Sequence, residues 1–199
     1  MTRNRARKQA VRERAARTGE KYSAARRAVV EEGPPAGSAR IARVRIPSVR
    51  VPAREILSAG DAIRGVEREG KRAASMLDDE ELARFVPIES VELPAGPAYL
   101  LFDVDTGHEY RNVTPDDALD AIRAAGRSPL TIEEGIAVVT LHPDTIARND
   151  GWSLLASRCG DRRVGALWIS KGAPKLGWCW AGNPHTWLGS ASCAGRVGL

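Results

Sequence analysis

A chain of 199 residues with 43% apolar composition has room for one ordinary domain and an extension. No stretch approaches the roughly 18 apolar residues of a membrane-spanning helix, and the charged first twenty residues lack the apolar core of a secretory signal, so membrane insertion and export are not expected. The net charge of +5 is unevenly divided: residues 1–50 hold 14 Lys and Arg against 4 Asp and Glu, a net of +10, and the remainder carries −5.

The basic leader reads as a helical arm over residues 1–30. Ala and Arg dominate residues 4–30 and no proline interrupts them. Gly19 is placed to end a first helix and Ser23 to cap a second. Its cations Arg3, Arg5, Arg7, Lys8, Arg12, Arg14, Arg17, Arg26 and Arg27 suit a phosphate backbone or another polyanion. The alternative is an arm that folds back on its own acidic body.

Residues 31–52 read as a linker or extended segment. Pro and Gly crowd 31–40, and Pro47 and Pro52 restrict the Ile/Val/Arg stretch that follows to an edge strand or a polyproline-like path. The third segment, 53–199, is expected to be a compact α+β domain, with helices packed on a small, mainly antiparallel C-terminal sheet. Residues 54–84 are helical by composition, with Gly60, Gly65 and Gly70 against that assignment and a fresh turn at Asp78. A buried strand is predicted over 97–104. Thr114-Pro-Asp-Asp117 opens a helix that stops at Gly126, and Thr131-Ile-Glu-Glu134 opens another with capping-box spacing, ended by Pro143. Four strands follow, over 152–156, 164–170, 176–180 and 186–188.

The last fifty residues hold all five tryptophans, half of the chain's ten aromatic rings. Trp178 and Trp180, two apart on a strand, share a face, and Cys179 points to the other. With Arg162, Arg163, Lys171 and Lys175 nearby, the indoles could hold a base and its phosphate, or single-stranded nucleic acid. Equally, they could be the core of a domain poor in other large residues. Asn183 and His185 lie in a turn where the imidazole could serve as a base. Cys159, Cys179 and Cys193 are odd in number and lack the paired spacing of a zinc site. They are expected to be free, buried thiols in a reducing cytoplasm, with no metal and no cofactor. Asp103, Asp105, His108 and Glu109 are expected in a solvated turn.

The run Ala166-Leu-Trp-Ile-Ser-Lys-Gly-Ala-Pro-Lys-Leu-Gly-Trp-Cys-Trp-Ala-Gly-Asn-Pro-His-Thr-Trp187, with Pro129–Ile136 and Gly160–Arg163, resembles the signature of an actinobacterial domain family of unknown function. The resemblance covers about residues 85–197 and implies no activity. The arm, notably Ala16–Arg27, resembles short N-terminal helical segments of other actinobacterial proteins.

These observations favour a non-enzymatic binding protein: the arm engages nucleic acid or a ribosome-like polyanion, and the Trp-rich domain recognises a ligand or partner. A small enzyme or nucleotide-binding domain centred on Lys171, Lys175, Trp178, Trp180 and His185 is one alternative. A protein-interaction module anchored by tryptophans is another.

Overall fold

The computed structural model describes residues 12, 14–16, 18 and 19 of the arm, and residues 45–199. The chain divides into two units, Met1–Ala42 and Arg43–Leu199. In the first, residues 12, 14–16 and 18 are helical. Gly19, at φ +71°, donates its N–H to the Ala15 carbonyl at 3.0 Å, the behaviour expected of a helix-ending glycine. The other expectations for the arm and for 31–40 lie outside the described residues.

The second unit runs β1 (Arg45–Pro52), α1 (Ala59–Arg64), β2 (Glu67–Arg68), β3 (Lys71–Arg72), β4 (Ala74–Ser75), α2 (Asp79–Ala83), β5 (Val86–Pro87) and β6 (Ala98–Asp105). It continues through α3 (Pro115–Ala124), β7 (Ser128–Pro129), α4 (Ile132–Leu141), β8 (Gly151–Arg158), β9 (Arg163–Ser170) and β10 (Ala173–Trp180). It closes with β11 (Leu188–Ser190), β12 (Ser192–Cys193) and β13 (Gly195–Gly198).

This is an α+β fold, but one with two main sheets rather than the single one expected. In the first, β6 pairs antiparallel with β1 on one side and with β12 and β13 on the other. The folded unit therefore reaches back into the expected linker or extended segment, of which the edge-strand alternative holds: Arg45–Pro52 is a full strand that buries Ile46, Val49 and Val51. Its two prolines cannot donate to a ladder, and β1 is an edge strand, as they require. The second sheet is the antiparallel meander β8–β9–β10, flanked by β11 parallel to β8 and β4 parallel to β10.

Helix α4 lies between the sheets, against β1 on one side and β8 and β9 on the other. It starts at a complete capping box: the Thr131 side chain accepts from the Glu134 N–H, and Glu134 answers to the Thr131 N–H. Ile132–Val139 are buried without interruption. The close approach depends on two glycines, since a Cβ on Gly135 would meet Leu154 Cδ2 at 2.3 Å and one on Gly165 would meet Ile132 Cγ1 at 2.7 Å. Helix α3, capped by Thr114 and started by Pro115, covers the outer face of the second sheet, burying Ala118 and Ile122 with Leu155, Val164 and Cys179.

Residues 54–84 are the main departure from expectation. Only two short helices form there, α1 and α2, and between them the β2–β3 ribbon turns through Glu69 at φ +51° and Gly70 at φ +72°. Helix-favouring composition could not offset glycines that terminate α1 at Gly65 and favour the turn at Gly70.

Candidate functional site

Alternation along β9 and β10 sorts the C-terminal side chains onto two faces. Toward α4 point Gly165, Leu167, Leu176, Trp178 and Trp180. Away from it point Val164, Trp168, Lys175, Gly177 and Cys179. The expected sharing of a face by Trp178 and Trp180 holds, with ring centroids 5.0 Å apart and edge-on, and Cys179 is on the opposite side. Lys175 is thus divided from Trp178 and Trp180 by the sheet itself. Lys171, in the β9–β10 turn, is nine positions from Trp180, about 30 Å at roughly 3.3 Å per residue.

At the Trp180 end the arginines are already matched. Arg163 stands 5.8 Å from the Trp178 ring and 6.0 Å from Phe85, and it is tied to Asp161 at 2.9 Å and Glu81 at 3.5 Å. Arg162 pairs with Asp116 at 3.2 Å. Asn183 donates its backbone N–H to the Trp180 carbonyl at 3.1 Å, closing the exposed turn. His185 packs edge-on against Trp187 at 5.7 Å. Its Nε2 is buried and accepts no hydrogen bond, and burial pushes its pKa down.

The opposite face has a different character. Trp168 lies across a strand that has no side chain to obstruct it: a Cβ on Gly177 would fall 2.5 Å from its ring, and one on Gly151 2.9 Å from its Cβ. The indole meets Trp187 edge-on at 5.9 Å and borders Met76, which is 54% exposed. Lys175 is directly opposite Trp168 in the ladder and so shares its face. The β2–β3 ribbon packs along β10 and brings Lys71, whose Nζ donates to the Lys171 carbonyl at 3.2 Å, while Arg72 alternates to the other face, opposite Glu67. Lys71, Lys171 and Lys175 are all the lysines of residues 45–199. Among the described residues, none of these three nor Arg72 has a carboxylate within ion-pair distance. Arg50, Arg84, Arg123, Arg148 and Arg158 share that lack, while Arg45, Arg54, Arg64, Arg68, Arg111, Arg127, Arg162, Arg163 and Arg196 are ion-paired. Sequence reasoning found Lys171 and Lys175 but missed Trp168 and Lys71, which are brought in by register and by a ribbon about a hundred residues upstream.

The remaining candidates are structural. Asp103 and Asp105 belong to β6 rather than to a solvated turn: Asp103 pairs with Arg127 at 2.8 Å, and buried Asp105 accepts the Gly107 N–H at 2.9 Å. The Arg127 pair, with Arg45, holds the Asp103 carboxyl below its usual range. His108 Nε2 is 3.1 Å from Asp150, which also takes Arg111. The three thiols are free and buried, as expected, and burial pushes Cys193 up to about 11. Trp152 is wholly core at 1% exposure, whereas Trp180 is 45% exposed. No helix among the described residues is long and apolar enough to cross a membrane.

A two-sheet α+β body with a lysine-lined sheet edge defines an architecture without a diagnostic active-site motif. The chain belongs to a family of unknown function, DUF5701, which it matches over residues 4–199. No curated protein and no solved structure matches it.

Proposed function

We propose that this is a non-enzymatic, cytoplasmic binding protein for a polyanion, with nucleic acid as the favoured class. The basic arm contacts the phosphate backbone as a helix, and the face of Trp168 adds a second foothold. The observation that carries this reading is the gathering of Lys71, Lys171 and Lys175 around β10 without carboxylate partners, with Lys175 opposite the half-buried Trp168 in the ladder. Cations track phosphates while an aromatic face takes an unstacked base, which favours single strands. The arm contributes by number: its segment of residues 1–50 holds 14 basic and only 4 acidic side chains, so ten positive charges have no counterpart within it.

The test is fluorescence anisotropy with labelled single-stranded and duplex oligonucleotides across a salt series. Affinity is expected to fall steeply with salt as counterions are released. Replacing Lys71, Lys171 and Lys175 by Gln should lower the log–log slope by about 2, at roughly 0.7 per phosphate contact on single strands. Trp168→Ala should cost about 1–3 kcal/mol on single strands and little on duplex. Absence of DNA and RNA binding at low salt, or unchanged affinity after deletion of residues 1–30, overturns the proposal.

A second reading, protein docking, is favoured by one observation: Trp180 is 45% exposed beside Trp178. An exposed indole is a common interface anchor, and a Trp180→Ala variant that loses a co-purifying partner but keeps oligonucleotide affinity would select it.

A further inference from the structure

Of the arginines without a carboxylate in ion-pair range, Arg123 and Arg158 lie together, at the end of the second sheet opposite the β9–β10 turn. Arg158 closes β8 between its ladder partners Val86 of β5 and Val164 of β9, and shares their face, the one that α3 covers. Its Nη1 donates to the Leu155 carbonyl at 2.9 Å, while Nε and Nη2 meet no acceptor among the described residues and neither is sealed from solvent. Asp116, whose charge reaches it, stands beyond ion-pair distance and is taken by Arg162 at 3.2 Å. Burial pushes the Arg158 pKa down, and Asp116 does not make up the difference. Arg196 behaves otherwise: burial lowers it too, but its hydrogen bonds to Glu134 outweigh that and push it up. A half-buried cation short of counter-charge is costly, and native proteins pair such groups. Arg123, on the exposed side of α3, is near enough for its like charge to lower Arg158 further. Its Nη2 donates to Ser90 Oγ at 2.5 Å, which brings that hydroxyl to the same place with its own O–H uncommitted.

We infer that Arg158 and Arg123 bind the phosphate group of a small phosphorylated organic molecule, with the Ser90 hydroxyl as a further donor. A guanidinium edge presents two parallel N–H donors that fit two oxygens of one phosphate, and in Arg158 the open pair is Nε and Nη2. Three guanidiniums, Arg123, Arg158 and Arg162, against the single Asp116 carboxylate leave two positive charges in excess, which favours a dianionic phosphate over a carboxylate. Val86, beside Arg158 in the ladder and 49% exposed, offers an apolar shelf to the body that carries the phosphate. The lysine edge is a separate place. Val164 and Ser170, at the two ends of this stretch of β9, are six strand steps apart, about 20 Å at roughly 3.3 Å each.

The probe is phenyl phosphate, titrated into the full-length protein at constant ionic strength and followed by calorimetry, with inorganic phosphate and benzoate alongside. Phenyl phosphate is expected to bind at least about threefold more tightly than inorganic phosphate, which has no body for the Val86 shelf, and at least about tenfold more tightly than benzoate, which carries one charge instead of two. Arg158→Gln should weaken phenyl phosphate at least about tenfold, the scale of a lost hydrogen bond to a charged group. Arg123→Gln, at an exposed position, leaves the fold intact and should weaken it about threefold, whereas Arg50→Gln, on the edge strand of the other sheet, should change it less than about twofold. Binding should survive replacement of Lys71, Lys171 and Lys175 by Gln, which separates this site from the proposed oligonucleotide contact. The inference is overturned by no saturable response to phenyl phosphate at tens of millimolar, or by inorganic phosphate or benzoate binding as tightly. Unaltered affinity in a folded Arg158→Gln or Arg123→Gln protein, or loss of binding with the three lysines, overturns it equally.

Discussion

Glu133 and Glu134 are neighbours in the first turn of one helix, yet their surroundings differ completely. Glu134 is fully buried, and every direction around its carboxylate is filled. Arg196 holds both oxygens at 2.5 and 2.8 Å, Tyr99 donates at 3.0 Å, and the Thr131 N–H donates at 2.8 Å. Glu133 is held more loosely: Arg54 Nε is 3.7 Å from Oε1, its own backbone N–H and the Thr131 hydroxyl favour its charged form, and no strong pair closes around it. The helical turn of about 100° between successive residues aims one carboxylate between the sheets and the other at a cavity between the β1 exit and the β6 entry. A closed network of this kind fixes structure, while a looser one contributes less to it.

The comparison breaks most visibly at Arg196. Its guanidinium also donates to Ser128 Oγ and the Pro129 carbonyl, so it ties β13 to β7 as well as to α4. Arg196→Met should strand Glu134 as an uncompensated buried charge and cost about 3–5 kcal/mol, read as a lowered urea midpoint. A loss below about 1 kcal/mol would mean the pair is not closed as described. Next in size is Gly135→Ala. The new methyl would drive into Leu154, displace α4 from β8 and cost about 1–3 kcal/mol by the same measurement. Tyr99→Phe is smaller. It removes one of the donors to Glu134, worth about 1.5 kcal/mol for a bond to a charged group, and leaves the cavity wall in place. Burial and the Glu134 charge push the tyrosine pKa well up, so its absorbance should not titrate in the folded protein at pH 11.

Part of this contrast was legible in the sequence. Thr131-x-x-Glu134 announces a capping box, and the box is there because both its hydrogen bonds join residues three apart. The strand alternation that puts Trp178 and Trp180 on one face is equally local, and so is the stop at Gly126, which adopts φ +68°. What was not legible depends on distant partners. Arg196 meets Glu134 across 62 residues, and Lys71 meets Lys171 across 100. Spacing rules that span one helical turn or one strand step carry no information about which segments the fold brings together. Glu133 was invisible for the same reason: in isolation it is an ordinary acidic residue in a first turn, and only the loops at Arg54 and Leu93–Gly96 make it the wall of a cavity. The β2–β3 ribbon failed differently, because local composition favoured helix and the glycines decided otherwise.

The smallest expected effect separates the two carboxylates most sharply. Burial pushes the Glu133 carboxyl above its ordinary value of 4.5, outweighing the lowering from its own backbone N–H, from Arg54 and from the Thr131 hydroxyl, while the nearby Glu134 charge pushes it further up. The native state therefore holds this proton more tightly than the unfolded chain does. Its contribution to stability is complete below the unfolded pKa and is lost as pH rises through the folded one. Glutamine keeps the shape and does not titrate. Glu133→Gln should match the wild-type melting temperature at about pH 4 and exceed it at neutral pH, by on the order of 2 °C, as about 0.5–1 kcal/mol gives in a chain of this size. A variant less stable than the wild type at neutral pH would show instead that the Arg54 contact already satisfies Glu133, and the two neighbouring carboxylates would then differ in degree rather than in kind.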